Sequence, residues 1–228
     1  MTKDLRECVI ICEGKADKVF LDKLFISIGL RDRVTIPFHE DNDGLYGVGN
    51  FGRMVEYVIM SNPSELEKVK LFLFVADSTD NPGSTFSKIC KTIESLDLPA
   101  PERSGEPSAK VGNAQQTFVM LLPGDSQSGC LETLYYKYLK TKYPNIDLCH
   151  NKLISCLGAD QKGWNIEKRH KSIFHATVAA TFKKDPSRSA SSVFNSGHLI
   201  DINDNAFDDI KTRIKNIFTK LEMSDNGN

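Results

Sequence analysis

Apolar runs alternate with segments whose apolar residues recur every three or four positions through the first part of the chain. Cys8-Val9-Ile10-Ile11-Cys12 is short and rich in β-branched residues; Phe20, Leu24 and Ile28 follow at four-residue spacing with Leu21 and Phe25 beside them. The pair predicts a buried parallel strand leading through a tight loop into an amphipathic helix. Val34-Thr35-Ile36-Pro37-Phe38 predicts a second strand, which Pro37 marks as an edge or an end. Phe51, Met54, Val55, Val58 and Ile59 predict a helix, Val69 to Ala76 a strand, Ser84 to Leu96 a helix and Thr117 to Leu122 a strand. After about Tyr143 helical patterns dominate, over Asp147 to Leu157, Ile166 to Phe182 and Ala206 to Leu221. In the last of these Phe207, Ile210, Ile214, Ile217, Phe218 and Leu221 form an apolar stripe suited to docking on a core. The expected fold class is α/β, a Rossmann-like parallel sheet with helices on both faces and a C-terminal helical extension. The expected division is an α/β core over 1–143, a helical extension packed on it over 144–223 and a disordered tail over 224–228.

Acidic residues fall where these strands end. Glu13-Gly14-Lys15-Ala16-Asp17 follows the first run, Asp77-Ser78-Thr79-Asp80-Asn81-Pro82-Gly83 follows the Val69 strand, and Pro123-Gly124-Asp125 with Gly129-Cys130-Leu131-Glu132 follows the Thr117 strand. Ligands of open α/β sheets bind outside the carboxyl ends of strands, so these acids are functional candidates by position. Clustered oxygen donors without an accompanying Cys/His set suit a hard cation, and Mg²⁺ or Mn²⁺ with a phosphate substrate is the natural inference. Each acid also has a structural reading. Asp17 and Glu132 sit where a first-turn acid favours the helix dipole, and Asp77 to Gly83 has turn and N-cap composition.

These residues resemble the Toprim domains of topoisomerases, bacterial primases, small RNA-maturation nucleases and overcoming-lysogenization-defect (OLD) nucleases, marked by an acid-Gly strand end and an Asp-x-Asp strand end. Glu13-Gly14-Lys15 with Asp17 matches the first motif and Asp77 the first Asp of the second. Thr79 departs from it, and Asp80 stands one position late. Pro123 to Leu134, with Gly129 and Glu132, is similar to the Pro…Gly-x-Leu-Glu segment of small stand-alone OLD-like Toprim proteins of uncharacterised function. Lys171, His175-Ala176 and Ala206-Phe207-Asp208 extend the likeness over nearly the whole chain. The resemblance implies Mg²⁺-dependent phosphodiester hydrolysis. Glu13 is then general acid/base or metal ligand, Asp77 and Asp80 hold the cation, and Asp17 and Glu132 support a second one. Lys171 joins the catalytic group, while Lys15 and His175 contact the substrate. His175 reads equally as a core histidine. Thr79 keeps open the alternative of a non-catalytic Toprim-like module, with a degraded metal site, that binds nucleic acid, nucleotide or protein. Topoisomerase and primase action are disfavoured, since DNA-gating, nucleophilic-tyrosine and polymerisation modules have no counterpart in the sequence.

Gly47-Val48-Gly49-Asn50-Phe51-Gly52 fits a dinucleotide fingerprint, but His39 to Gly44 separates it from the preceding strand, and a mobile loop over the crevice or a tight helix entry is the competing role. Glu40, Asp41 and Asp43 solvate that loop. The formal net charge of -1 offers no general attraction to nucleic acid. Lys162, Lys168, Arg169, His170 and Lys171, followed by Lys183, Lys184 and Arg188, leave room for a local groove or only a solvated helix face. The six cysteines lack paired C-x-x-C spacing, which predicts reduced thiols in a cytoplasm; Cys8 and Cys12 are expected in the core, and Cys149-His150 with Cys156 does not complete a zinc set. No apolar stretch approaches the roughly 20 residues that cross a membrane. Nucleic acid is the expected partner, with a homodimer and a separate ATPase or defence-system protein as further candidates, there being no P-loop.

Overall fold

The structure, a computed structural model, describes residues 4–37, 47–112, 114–181 and 199–225. Four parallel strands form one sheet: β1 (Cys8–Cys12), β2 (Val34–Thr35), β3 (Leu71–Asp77) and β4 (Gln116–Leu122), in the order β2-β1-β3-β4. Cys8 aligns with Leu71 and Cys12 with Val75, so β3 runs past the end of β1 and carries Asp77 beyond it. The strands are apolar on both faces because both are covered. Cys8, Ile10, Cys12, Leu71, Leu73, Val75, Phe118, Met120 and Leu122 point into one core cluster; Val9, Ile11, Phe72, Phe74, Ala76, Val119 and Leu121 point into the other.

The chain steps from β1 through α1 (Lys15–Ser27) to β2 on one side, then through α2 (Phe51–Ser61) to β3 on the other side of β1. Crossovers of one hand running in opposite directions put their helices on opposite faces. Accordingly Phe20, Leu21, Leu24 and Phe25 of α1 join the first cluster, while Phe51, Val55 and Val58 of α2 join the second with Ile89 and Ile93 of α3 (Pro82–Glu94). The reversal of strand order opens a crevice between the carboxyl ends of β1 and β3, the place where open α/β sheets bind ligands.

The first face is completed by α4 (Leu131–Lys142), α6 (Ile166–Thr181) and α7 (Asp208–Asp225). Ile173, Phe174, Val178, Ile210, Ile214 and Phe218 pack in the same cluster as α1 and α4. Burying each such large apolar side chain contributes about 1.5–3 kcal/mol. Between α4 and α6, α5 (Ile146–Cys156) and its C-cap Leu157 leave Leu148, Leu153 and Leu157 exposed.

The α/β expectation is met, with strands and helices where the apolar patterns placed them. β2 is an edge strand, as Pro37 implies, but its pairing ends at Thr35; Phe38 lies outside the described residues. So do His39 to Gly44 with Glu40, Asp41 and Asp43, the basic residues Lys183, Lys184 and Arg188, and 226–228 of the expected tail. The last helix runs on to Asp225. Cys8 and Cys12 are fully packed in the core. Among the described residues no helix is long and apolar enough to cross a membrane.

Candidate functional site

Glu13 is the residue at which β1 leaves the sheet. Its neighbour Gly14 caps α1, and the Glu13 carbonyl accepts the N–H of Gly47 at 2.9 Å, where a φ of 83° requires glycine. The side chain reaches across the strand-order reversal, and Oε1 accepts the backbone N–H of Asp77 at 2.7 Å. Burial raises the proton affinity of this carboxyl above its usual value; the Asp77 amide and the Lys171 charge oppose the rise and Glu167 adds to it. In the first turn of α1, Asp17 faces the same crevice. Burial, followed by the charges of Glu13 and Glu132, pushes its pKa to about 7.

Asp77 closes β3 and receives the Leu131 N–H on Oδ1 at 2.8 Å. Burial is again the largest cause of its shift, joined by the charges of Asp17, Glu13 and Glu132, and its pKa reaches about 8. The loop entering α4 is fastened to the end of β3 by a reciprocal pair, Thr79 N–H to Gly129 O and Gly129 N–H to Thr79 O, both 2.8 Å. Gly129 has φ 140°, and a Cβ there would lie 2.5 Å from Thr133 Oγ1. Cys130 then caps α4, its N–H bonded to Thr133 Oγ1 at 3.1 Å. This geometry brings ligand atoms of Asp77, Cys130 and Glu132 within 4.8 Å of one another.

Lys171 on α6 overlooks the same acids. Burial works against its charge, but the hydrogen bond to Glu167 Oε1 at 2.6 Å and the field of Glu132 outweigh it, so the ammonium is held more firmly than usual. Lys15, at the start of α1, is exposed. His175 is exposed one turn beyond Lys171, its ring edge-on to Phe174 with centroids 5.4 Å apart; of its two readings, the core histidine does not hold. Among the described residues the buried histidines are His150, whose Nε2 meets Ser172 Oγ at 2.9 Å, and His170. His170 Nδ1 meets Thr133 Oγ1 at 3.1 Å, its ring stacks on Tyr136, and burial followed by the Arg169 charge lowers its pKa to about 4.

Two strand-end acids stand apart from this group. Asp80 is exposed and accepts from Asn165 Nδ2 at 2.8 Å, because Thr79 adopts φ 55° and turns the chain outward. Asp125 is tied down by Arg213 at 2.8 Å, Ser104 Oγ at 2.6 Å and the Leu121 amide. The structure thus brings together Glu13, Asp17, Asp77, Glu132 and Lys171. It sets Cys130, a thiol beside the crevice by sequence, among the acids, and it adds Thr133 and His170, which motif spacing did not select. A thiol directly before a first-turn acid was the available signal for Cys130. For His170, one position before Lys171, there was none, since its contact depends on how α6 packs on α4. In the remaining basic cluster, Lys168 lies over the Trp164 ring and Arg169 pairs with Asp147.

A family model described as a protein of unknown function (DUF3226) matches residues 7–219. The chain belongs to that family. No curated protein and no solved structure matches it. Residues 7–219 run from just before β1 into α7, so every residue of the crevice lies inside the family's span.

The donor chemistry fits a hard divalent cation. Four carboxylates share one crevice, and burial, joined at Asp17 and Asp77 by the neighbouring acids, disfavours their ionisation without a compensating positive charge. A proton or a metal ion can supply that charge. Asp77 and Glu132 offer carboxylate oxygens within 4.8 Å of each other and of Cys130 Sγ, with Glu13 and Asp17 on the β1 side.

Proposed function

We propose that this protein is a Toprim-like, Mg²⁺- or Mn²⁺-dependent phosphodiesterase of the OLD-nuclease type, acting on nucleic acid. The observation that carries the reading is the convergence of Glu13, Asp17, Asp77 and Glu132 at the β1/β3 reversal, with the Lys171 ammonium close enough to act on Glu13 and Glu132. A metal ion held by Asp77 and Glu132, with Asp17, would neutralise the non-bridging phosphate oxygens and lower the pKa of an attacking water. Glu13, with its raised proton affinity and one oxygen fixed on the Asp77 amide, is placed to take that water's proton. Lys171 supplies a fixed positive charge toward the scissile phosphate. Lys15 and His175, both exposed, suit contacts to the flanking backbone.

The test is cleavage of single- and double-stranded DNA and RNA with Mg²⁺ or Mn²⁺, comparing wild type with Glu13→Gln and Asp77→Asn. Metal-dependent cleavage lost in both variants supports the assignment, and cleavage unchanged in both defeats it. A second reading has its own observation: Thr79 and the outward turn of Asp80 leave β3 with one carboxylate in the crevice. On that reading the protein is a non-catalytic binding module, and it gains if calorimetry finds nucleic acid binding without divalent metal.

A further inference from the structure

Phosphodiester chemistry gives Cys130 no part, yet its Sγ is buried among the groups that would hold the metal. A soft sulfur adds nothing for Mg²⁺, which takes oxygen donors, but it is a preferred ligand for Zn²⁺ and related ions. The placement is built from both sides of the crevice. The paired amides of Thr79 and Gly129 lock the loop to β3, the Leu131 N–H rests on Asp77 Oδ1, and Thr133 Oγ1 fixes the Cys130 amide. His170 Nδ1 in turn meets that Thr133 hydroxyl at 3.1 Å. One sulfur and two carboxylates lie within 4.8 Å of one another. Bonds of about 2.3 Å to sulfur and about 2.0–2.2 Å to oxygen would draw them roughly 1 Å closer, and three protein ligands with an open fourth position is an ordinary zinc arrangement.

We propose that Asp77, Cys130 and Glu132 form a site for a thiophilic divalent cation of the Zn²⁺ class, which excludes Mg²⁺ from the crevice and silences it. Binding forms a metal–sulfur bond, and the thiol proton passes to solvent. The silencing rests on the nuclease reading; the thiolate coordination does not. By the general affinity order Zn²⁺ outcompetes the harder ions wherever the donors suit it, so the sulfur sets which ion the crevice retains.

Cys149 and Cys156 are exposed, so the experiment uses the full chain carrying Cys149→Ser and Cys156→Ser. Co²⁺ is titrated in and followed by its thiolate charge-transfer band, and ¹¹³Cd NMR on the same protein reports sulfur against all-oxygen coordination without touching Cys130. A one-to-one cobalt band and a sulfur-type cadmium shift are expected, with Cys130→Ser abolishing the band and weakening Zn²⁺ at least tenfold. An all-oxygen cadmium shift, or a cobalt band that persists in a folded Cys130→Ser protein, overturns the proposal. Absence of Mg²⁺-dependent cleavage with the band intact would instead count against the nuclease reading alone. If cleavage is present, equimolar Zn²⁺ should suppress it at least tenfold, and cleavage undiminished by bound Zn²⁺ refutes the silencing.

Discussion

Glu13 has two separable duties, and isosteric change divides them. Glutamine keeps an oxygen for the Asp77 amide but carries no charge and cannot accept a proton. Glu13→Gln should therefore lower metal-dependent cleavage by about 10²-fold or more while shifting stability by less than about 1 kcal/mol. Glu13→Ala strands that amide, at a cost of about 1–3 kcal/mol in urea unfolding. An alanine variant as stable as glutamine would mean the hydrogen bond holds nothing together. Gly129→Ala meets both a φ of 140° and a Cβ only 2.5 Å from Thr133 Oγ1. A loss of about 1–3 kcal/mol is expected from the strain, with metal affinity falling as the loop shifts. Glu13 and Asp77 were legible in the sequence because each ends an apolar run, and a strand end fixes direction as well as position. Asp80 was not, because one left-handed residue, Thr79, reverses the heading of the next side chain, and nothing in the composition of the turn announces it.

At the scale of elements, the apolar runs located the strands but could not say which residues face which layer. A strand covered on both sides shows no alternation, and the assignment of Ile10 to one core and Ile11 to the other follows only from the sheet. The strand-order reversal was also beyond local reading, since it depends on β3 choosing the far side of β1. So was the approach of α6 to α4, which carries Lys171 over the acids and His170 onto Thr133. Thr133 joins these elements: its hydroxyl bonds the Cys130 amide and His170 Nδ1. Thr133→Val keeps the shape and removes both bonds, which should cost about 1–3 kcal/mol in chemical unfolding. The loss should be largely non-additive with His170→Ala in a double-mutant cycle, because the two changes delete one shared contact. Full additivity would show that the two residues act independently.

For the whole molecule, a net charge of -1 conceals an acidic crevice whose effect on stability has a definite sign. Asp17 and Asp77 titrate near 7 and 8 in the folded chain and near the ordinary carboxylate value when unfolded, and Glu13 is raised as well. Between about pH 4 and pH 8 these acids therefore hold more protons in the folded chain than in the unfolded one, so their contribution to stability falls as the pH rises through this window, against the smaller opposite contribution of His170 below about pH 6.5. Below about pH 4 these acids are protonated in both states and contribute no slope. In metal-free buffer the melting temperature should fall as the pH rises over the window. Mg²⁺ should reverse the fall, and more strongly at pH 8 than at pH 6, because protons compete for the same oxygens. Asp77→Asn retains an acceptor for the Leu131 amide while deleting one of the mutually repelling charges. The variant should melt above wild type at pH 8 without metal, show a shallower pH dependence and lose the Mg²⁺ response. A structural turn carboxylate would behave in the opposite way, since its removal destabilises at every pH where it is charged. A melting curve at pH 8 thus separates the functional reading of Asp77 from the structural one before any substrate is known.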